Sequence, residues 1–242
     1  SSNNSGSSAP STNYASQFFA NTSSSMMQLN NTSGNAFINL FTLAGAPAFP
    51  LDGTINSINI GKGANSVAGN TVLGESALDA SVTGGNNTAI GLNSLTALTS
   101  GASNVAVGNN SLEANTTGAG NTAVGALALD ANTTASNNVA VGLESLTSNT
   151  TGQQNTAVGV SALGANTTAN NNTAVGFFAL LSTTTGTQNT AIGRSALKEN
   201  TTGDSNVAVG ANALDANTTA DNNTAVGKDA LTANTTGSEN VA

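Results

Sequence analysis

The chain lacks most of the side chains on which enzymes rely. It contains no Cys, His or Trp, and only 7% of its 242 residues are charged. Imidazole and thiolate groups are therefore missing as metal ligands, general bases and nucleophiles, and no disulfide can form. We expect no catalytic residue, no cofactor and no metal site, so the composition predicts a protein that is not an enzyme.

Cations and long apolar runs are scarce as well. The four cations, Lys62, Arg194, Lys198 and Lys228, are scattered among twelve acidic residues, which gives a net charge of −8. Phosphate contacts need clustered cations, so we expect no nucleic-acid partner. No apolar run approaches the roughly 20 residues of a membrane-spanning helix, and no cationic leader precedes one. We therefore expect neither a signal peptide nor membrane insertion.

What the sequence has in abundance is a repeat of 17 residues. Asn recurs at this interval from Asn70 to Asn240 without insertion or deletion, and Gly and Leu recur in the same register. The consensus is N-[TV]-A-[VI]-G-x-x-[AS]-L-x-x-N-T-T-[GA]-x-x, whose positions we number 1 to 17. A period that never slips predicts units stacked in fixed register, as in a solenoid.

The composition of the unit favours strands over helices. Positions 2 to 4 alternate β-branched residues with Ala and end at Gly, which is typical of a short strand. We predict a second short strand at positions 8 and 9 and a turn at positions 12 to 15. The fold class is then all-β, a parallel β-solenoid with coils about 4.8 Å apart. Its position-1 side chains should form an axial ladder, represented by Asn87, Asn104, Asn121, Asn138 and Asn155.

Two apolar faces in each unit lead us to expect more than one chain. Positions 3 and 4 are both apolar, although neighbouring strand residues point to opposite faces. We assign the larger side chains to the core of the coil: Val107, Val124, Val141, Leu112, Leu129 and Leu146. The small Ala106, Ala123 and Ala140 are then candidates for contact between chains. A homotrimer, with its axis parallel to the shaft, is a natural symmetry for a fibre.

The repeats also resemble a known family. The units Asn121 to Leu129 and Asn172 to Leu180 resemble the head repeats of YadA-type trimeric autotransporter adhesins. They resemble still more the repeat shafts of bacteriophage tail or capsid fibre proteins. The resemblance covers residues 57–242, including a segment at 57–66 similar to the start of such a head. It implies a left-handed parallel β-roll in a three-chain assembly, although the longer N-T-T-G turn departs from the adhesin pattern.

Residues 1–56 differ from the repeats. Five of the seven Phe, the only Tyr and both Met precede residue 50. Residues 1–13 are rich in Ser and Asn and predict a flexible start, whereas partial alternation from Ala36 to Leu51 predicts a strand that Pro47 and Pro50 would stop. We expect residues 1–56 to bind a virion attachment protein or to cap the first coil.

The shaft is residues 57–242, with regular units from residue 70. Because the chain stops within a unit, we expect the shaft to continue towards a distal tip.

Four further patterns have both a chemical and a structural interpretation. Glu75 and Asp79 are the nearest carboxylate pair for glycan cleavage, but scattered surface charge is the plainer interpretation. Phe177 and Phe178 form either a contact patch or a better-packed coil. An ice-binding array needs T-x-T, whereas two adjacent Thr diverge on a strand. Asn-Thr-Thr triplets are glycosylation sequons but also good turn formers; they begin at Asn115, Asn132, Asn149, Asn166, Asn200, Asn217 and Asn234.

The combined pattern predicts a mechanical function. We expect a structural fibre shaft, on a virion surface or extracellular, which holds a distal receptor-binding element for host attachment. One alternative is a cell-surface trimeric adhesin that binds a host surface or glycan directly. A second alternative is an ice-binding solenoid.

Overall fold

The computed structural model describes residues 18–21, 26–30, 37–42, 53–55 and 58–242. The chain divides into two compact units, Ser1–Pro50 and Leu51–Ala242. The second unit begins at Leu51, whereas the sequence places the start of the shaft at residue 57. The predicted flexible start at residues 1–13 lies outside the described residues.

The first unit contains a three-stranded antiparallel sheet. Its strands are β1 (Phe18–Asn21), β2 (Met26–Asn30) and β3 (Phe37–Thr42), with β2 in the middle. The register between β2 and β3 shifts between Met27 and Gln28, as in a β-bulge. β3 lies within the segment from Ala36 to Leu51 whose partial alternation predicts a strand.

The second unit is a parallel β-solenoid, as predicted. After β4 (Gly53–Ile55), β5 (Ile58–Gly61) and a 3₁₀ helix (Ala64–Ser66), each 17-residue unit, which we call a rung, contributes one strand. These strands are β6 (Thr71–Gly74), β7 (Thr88–Ile90), β8 (Val105–Val107), β9 (Thr122–Val124), β10 (Val139–Val141), β11 (Thr156–Val158), β12 (Thr173–Val175), β13 (Thr190–Ile192), β14 (Val207–Val209) and β15 (Thr224–Val226). Neighbouring rungs pair in parallel with equal repeat positions opposite each other, for example Ala140 and Ala157.

A hairpin covers the first edge of this parallel sheet. β4 pairs antiparallel with β5, and β5 pairs antiparallel with β6, with Ile60 opposite Leu73. An unpaired edge strand offers free backbone groups to other chains, and pairing removes them. The strands β4 and β5 therefore cover the edge of the first rung.

Each strand ends at a glycine corner. The position-5 glycines from Gly91 to Gly227 have φ between 129° and 143°, a region that L side chains rarely adopt. A Cβ built on Gly142 would also lie 2.6 Å from the carbonyl carbon of Gly159 in the next rung. Both the conformation and the close approach of the rungs thus require Gly at position 5.

The predicted second strand at positions 8 and 9 is wrong. These residues lie in a turn, and the position-9 Leu of every rung has a left-handed φ of 48° to 53°. Axial hydrogen bonds hold this unfavourable conformation, since the backbone N–H of Leu129 donates to the carbonyl of Ser145 in the next rung at 3.1 Å. Positions 8 and 9 therefore stack from rung to rung through backbone hydrogen bonds, although they form a turn and not a strand.

The lumen of the coil is narrow. It is filled at position 9 by Leu, including the predicted core residues Leu112, Leu129 and Leu146, which are fully buried. The other core assignments are wrong: Val107 and Val141 are only half-buried and Val124 is 37% exposed. The side chains of position 3 point inward instead: Val72 in the first rung and Ala in each later rung are buried.

Candidate interaction surfaces

The predicted Asn ladder is confirmed, and it lies inside the lumen. Asn121 donates to Oδ1 of Asn104 from both its backbone N–H (3.0 Å) and its Nδ2 (3.2 Å). Its Nδ2 also donates to the carbonyl of Ala135 at 2.8 Å. The same Oδ1 contact links Asn87, Asn104, Asn121, Asn138 and Asn155. These buried amides therefore hydrogen-bond each rung to the next along the axis, and they also bond to the backbone carbonyls of position 15.

A second Asn ladder at position 12 was not predicted. Nδ2 of Asn132 donates to Oδ1 of Asn115 at 3.0 Å and to the carbonyl of Ala135 at 3.1 Å. The position-15 carbonyl thus accepts from both ladders. The sequence pattern assigned these Asn to a turn, and the recurrence of Asn at position 12 in seven rungs was the signal that could have placed them inside.

One rung interrupts the second ladder. Position 12 of that rung is Thr183, whose Oγ1 donates to the carbonyl of Asn200 at 3.0 Å. Thr has no amide to offer to the rung before it. As a result, Oδ1 of Asn166 is the one buried side-chain nitrogen or oxygen without a hydrogen-bond partner among the described residues.

The assignment of Ala106, Ala123 and Ala140 to contacts between chains is wrong. All three are fully buried within their own coil. The pleat sends positions 2 and 4 outward when position 3 points inward, so the face available to another chain carries the β-branched residues. We call the outward residues of positions 2 and 4 the outer β surface.

The outer β surface is uncharged over ten rungs, and its position-4 column is apolar. Position 2 is Thr or Val in each rung, and position 4 is Val, Ile or Leu. Position 4 is exposed in several rungs, at Leu73, Val124, Val158, Val175, Ile192 and Val226. With rungs about 4.8 Å apart, the surface is about 48 Å long. Exposed apolar patches of a few hundred Å² mark interaction sites in soluble proteins.

Position 6, just beyond the glycine corner, adds a second apolar column in the middle of the shaft. Leu143, Val160 and Phe177 occupy it in three consecutive rungs and are all exposed. We call these three residues the outer ridge. The ring of Phe177 stacks on Phe178 with centroids 3.8 Å apart, yet Phe177 remains 46% exposed. This exposure favours the contact-patch interpretation of the Phe pair over the packing one.

The charged groups form short local pairs. Nζ of Lys198 lies 2.6 Å from Oε1 of Glu199, and this hydrogen bond lowers the pKa of Glu199 below its usual 4.5. A hydrogen bond from Asn212, assisted by Lys228, lowers the pKa of Asp229 below its usual 3.8. Oδ1 of Asp79 accepts from Nδ2 of Asn59 at 3.3 Å. In the described part of the chain, no three carboxylates cluster closely enough to hold a metal ion.

The adjacent Thr residues of positions 13 and 14 differ in their surroundings. Oγ1 of Thr116 donates to the carbonyl of Thr133 in the next rung at 3.0 Å, and this pattern continues along the shaft. Thr117 is exposed. The two hydroxyls therefore do not form one flat array.

Comparisons with known proteins give no indication of function, so a functional proposal must be based on the fold. No protein-family model, curated protein or solved structure matches the chain. Among the described residues, no helix has the length and apolar character needed to cross a bilayer.

Proposed function

We propose that the second unit is the structural shaft of an extracellular or virion-surface fibre, which holds a distal receptor-binding element away from its particle. The observation that carries this proposal is the axial bonding of every rung. Backbone pairing, the position-1 ladder and the position-12 ladder all run along the same axis. Such a stack resists bending and leaves few unpaired backbone groups for proteases to reach.

The proposed assembly is a homotrimer of parallel chains, joined through the outer β surface. This surface has no charged residue in any rung, so close approach of identical chains places no charge in a desolvated contact. The outer ridge extends the apolar area at mid-shaft, where Phe177 is the largest exposed side chain. Aromatic residues of this kind are typical anchors of protein interfaces.

The native mass of the full chain tests the assembly. Light scattering should give about three times 23.4 kDa. The double variant Val141→Lys/Val158→Lys places charges on the outer β surface and should give monomers with an unchanged far-UV spectrum. The matched control, Thr134→Lys/Thr151→Lys, charges exposed position-14 residues and should keep the wild-type mass. A monomeric wild-type chain would refute the trimer.

A direct adhesin is the second candidate, and the exposed Phe177 is the observation that favours it. Aromatic faces can stack on sugar rings as well as on protein. A glycan array separates the two functions: a shaft should bind no glycan specifically, whereas an adhesin should bind a defined glycan and lose it in Phe177→Ala. Negative-stain images of the shaft should show straight rods in either case.

A further inference from the structure

The solenoid divides its glycosylation sequons into sets that differ in accessibility. Besides the Asn-Thr-Thr triplets, three Asn-Asn-Thr sequons begin at position 17, with Asn86, Asn171 and Asn222. These three Asn are exposed and lie in left-handed turns with φ of 62°, 60° and 58°. They stand at the corner of the coil, immediately before the buried position-1 Asn.

The reacting groups of this exposed set are free. In the described part of the chain, no hydrogen bond engages the side-chain amides of Asn86, Asn171 and Asn222. The hydroxyls of the paired Thr88, Thr173 and Thr224 have no partner there either, and these Thr lie at the outward-facing position 2. A glycosyltransferase recognises both the Asn amide and the hydroxyl two residues later.

The Asn-Thr-Thr set has the opposite arrangement. Its Thr at position 14 is exposed, but its Asn is buried in the lumen from Asn115 to Asn217 and bonded within the second ladder. Asn234 in the last rung is half-buried and bonded to Asn217. Reaching such an amide requires the rung to open.

A fourth sequon is intermediate. Asn109 is exposed, but the hydroxyl of its Ser111 is turned into the coil and donates to the carbonyl of Gly108 at 3.1 Å. The exposed amide is therefore present without its recognition partner. This sequon separates the contribution of the hydroxyl from that of the Asn.

We infer that Asn86, Asn171 and Asn222 are the asparagine-linked glycosylation sites of the folded shaft, and that folding closes the Asn-Thr-Thr sequons. The donor is a sugar activated by a nucleoside diphosphate. Nδ2 of Asn forms a bond to the anomeric carbon, and the bond from that carbon to the phosphate oxygen breaks. The nucleoside diphosphate leaves with the electron pair, and the amide proton passes to a base of the transferase. The paired Thr residues lie on the outer β surface, so the inference concerns the folded chain before it assembles.

The test uses the whole chain as the Val141→Lys/Val158→Lys variant, in which assembly should not cover the outer β surface, and measures its modification by a soluble N-glycosyltransferase supplied with UDP-glucose. Peptide mapping by mass spectrometry gives the rate at each sequon in the folded chain, and the urea-unfolded chain diluted into the assay gives the reference rate. We expect folded and reference rates of similar size at Asn86, Asn171 and Asn222. At Asn115 to Asn217 the folded rate should fall about a hundredfold, since each needs local opening.

The control variant is Thr173→Val, because Val occupies the same position in β8, β10 and β14. It should keep the fold and the rates at Asn86 and Asn222 while abolishing modification at Asn171. Asn109 should be modified more slowly than Asn171. The inference is overturned if folding protects Asn171 as strongly as Asn115, or if Asn115 is modified in the folded chain at its reference rate.

Discussion

The inward and outward faces of each three-residue strand are under different structural constraints. In β9, Ala123 points into the lumen and is fully buried, whereas its neighbours Thr122 and Val124 point outward. Position 3 is Ala in every rung after β6, while position 2 is Thr in some rungs and Val in others. The inward columns are constrained by packing and hydrogen bonding along the axis. The outward columns are constrained only by the molecule that packs against them. Substitutions of inward and outward residues should therefore differ sharply in their effect on stability.

The largest effect is expected at the glycine corner, where inward and outward columns meet. Gly142→Ala would place a Cβ against the Gly159 backbone at a φ of 137° and should destabilise the shaft by about 3 kcal/mol or more. The measurement is the urea midpoint by circular dichroism.

Gly164→Ala is the matched control for this substitution. Gly164 lies at position 10, where other rungs carry Asp, Thr or Lys, and its added Cβ would meet only Ser161 and the flexible end of Leu181 at 3.2–3.3 Å. It should shift the midpoint little. Equal losses in the two variants would show that the corner imposes no special constraint.

Two leucines in the same turn allow an inward and an outward substitution to be compared directly. Leu129 is fully buried in the lumen and Leu127 is half-buried on the outside, and both have a left-handed φ, of 53° and 57°. Leu129→Ala should cost about 2–5 kcal/mol through lost burial and a cavity. Leu127→Ala should cost about 1 kcal/mol or less. Differential scanning calorimetry of the two variants measures the difference, and a larger loss for Leu127 would contradict the assignment of sides.

The interrupted ladder offers an inward substitution that stabilises. Thr183→Asn supplies an Nδ2 donor to the orphaned Oδ1 of Asn166, as Asn149 does for Asn132 in an intact stretch at 3.1 Å. We expect a gain of about 1 kcal/mol, offset in part by the lost hydroxyl bond to Asn200. Thr183→Val, which has the same shape but no donor, should be destabilising. A loss of stability in Thr183→Asn, read from its urea midpoint, would argue against the ladder.

The smallest effect is expected for the outward ion pair. The pKa of Glu199 is lowered in the fold by Lys198, so the pair stabilises above the usual carboxyl pKa, and this stabilisation is lost as the pH falls through the folded pKa. Both side chains are largely in water, so Lys198→Met should cost less than about 0.5 kcal/mol at pH 7. The two proteins should converge at pH 3 in urea titrations. A difference that persists at pH 3 would assign the effect to packing.

Much of the solenoid can be predicted from the spacing of residues, but which residues face inward cannot. The 17-residue period predicts the stacked rungs, and the columns through Asn121 and Leu129 predict an axial ladder and a core. Alternation shows that Ala123 and Val124 occupy opposite faces, yet it cannot say which face is inside. That choice depends on the width of the lumen, which is set by Leu and two Asn ladders together and is visible only once the coil is closed.

The turn could not be foreseen for a related reason. A left-handed conformation is unfavourable for a bulky residue, so Leu129 and its equivalents gave no local signal for it. The stacked hydrogen bonds of neighbouring rungs impose it instead. The position-12 Asn were likewise assigned to the turn on local preference, although their burial arises from contacts between residues 17 apart, such as Asn115 and Asn132.

The position-1 amides give the shaft an electrical polarity. Each Oδ1 accepts from the next rung, as Asn104 does from Asn121 and Asn206 from Asn223, so the side-chain carbonyls all point towards the C-terminal rungs. Backbone bonds along the axis run in both senses, since Thr88 donates forward to Asn104 while Gly91 donates back to Leu73, so their dipoles cancel in part. The amide dipoles add instead, and each polarises the next. The column of position-1 amides therefore carries a dipole along the shaft, as the peptide groups of an α-helix do along its axis.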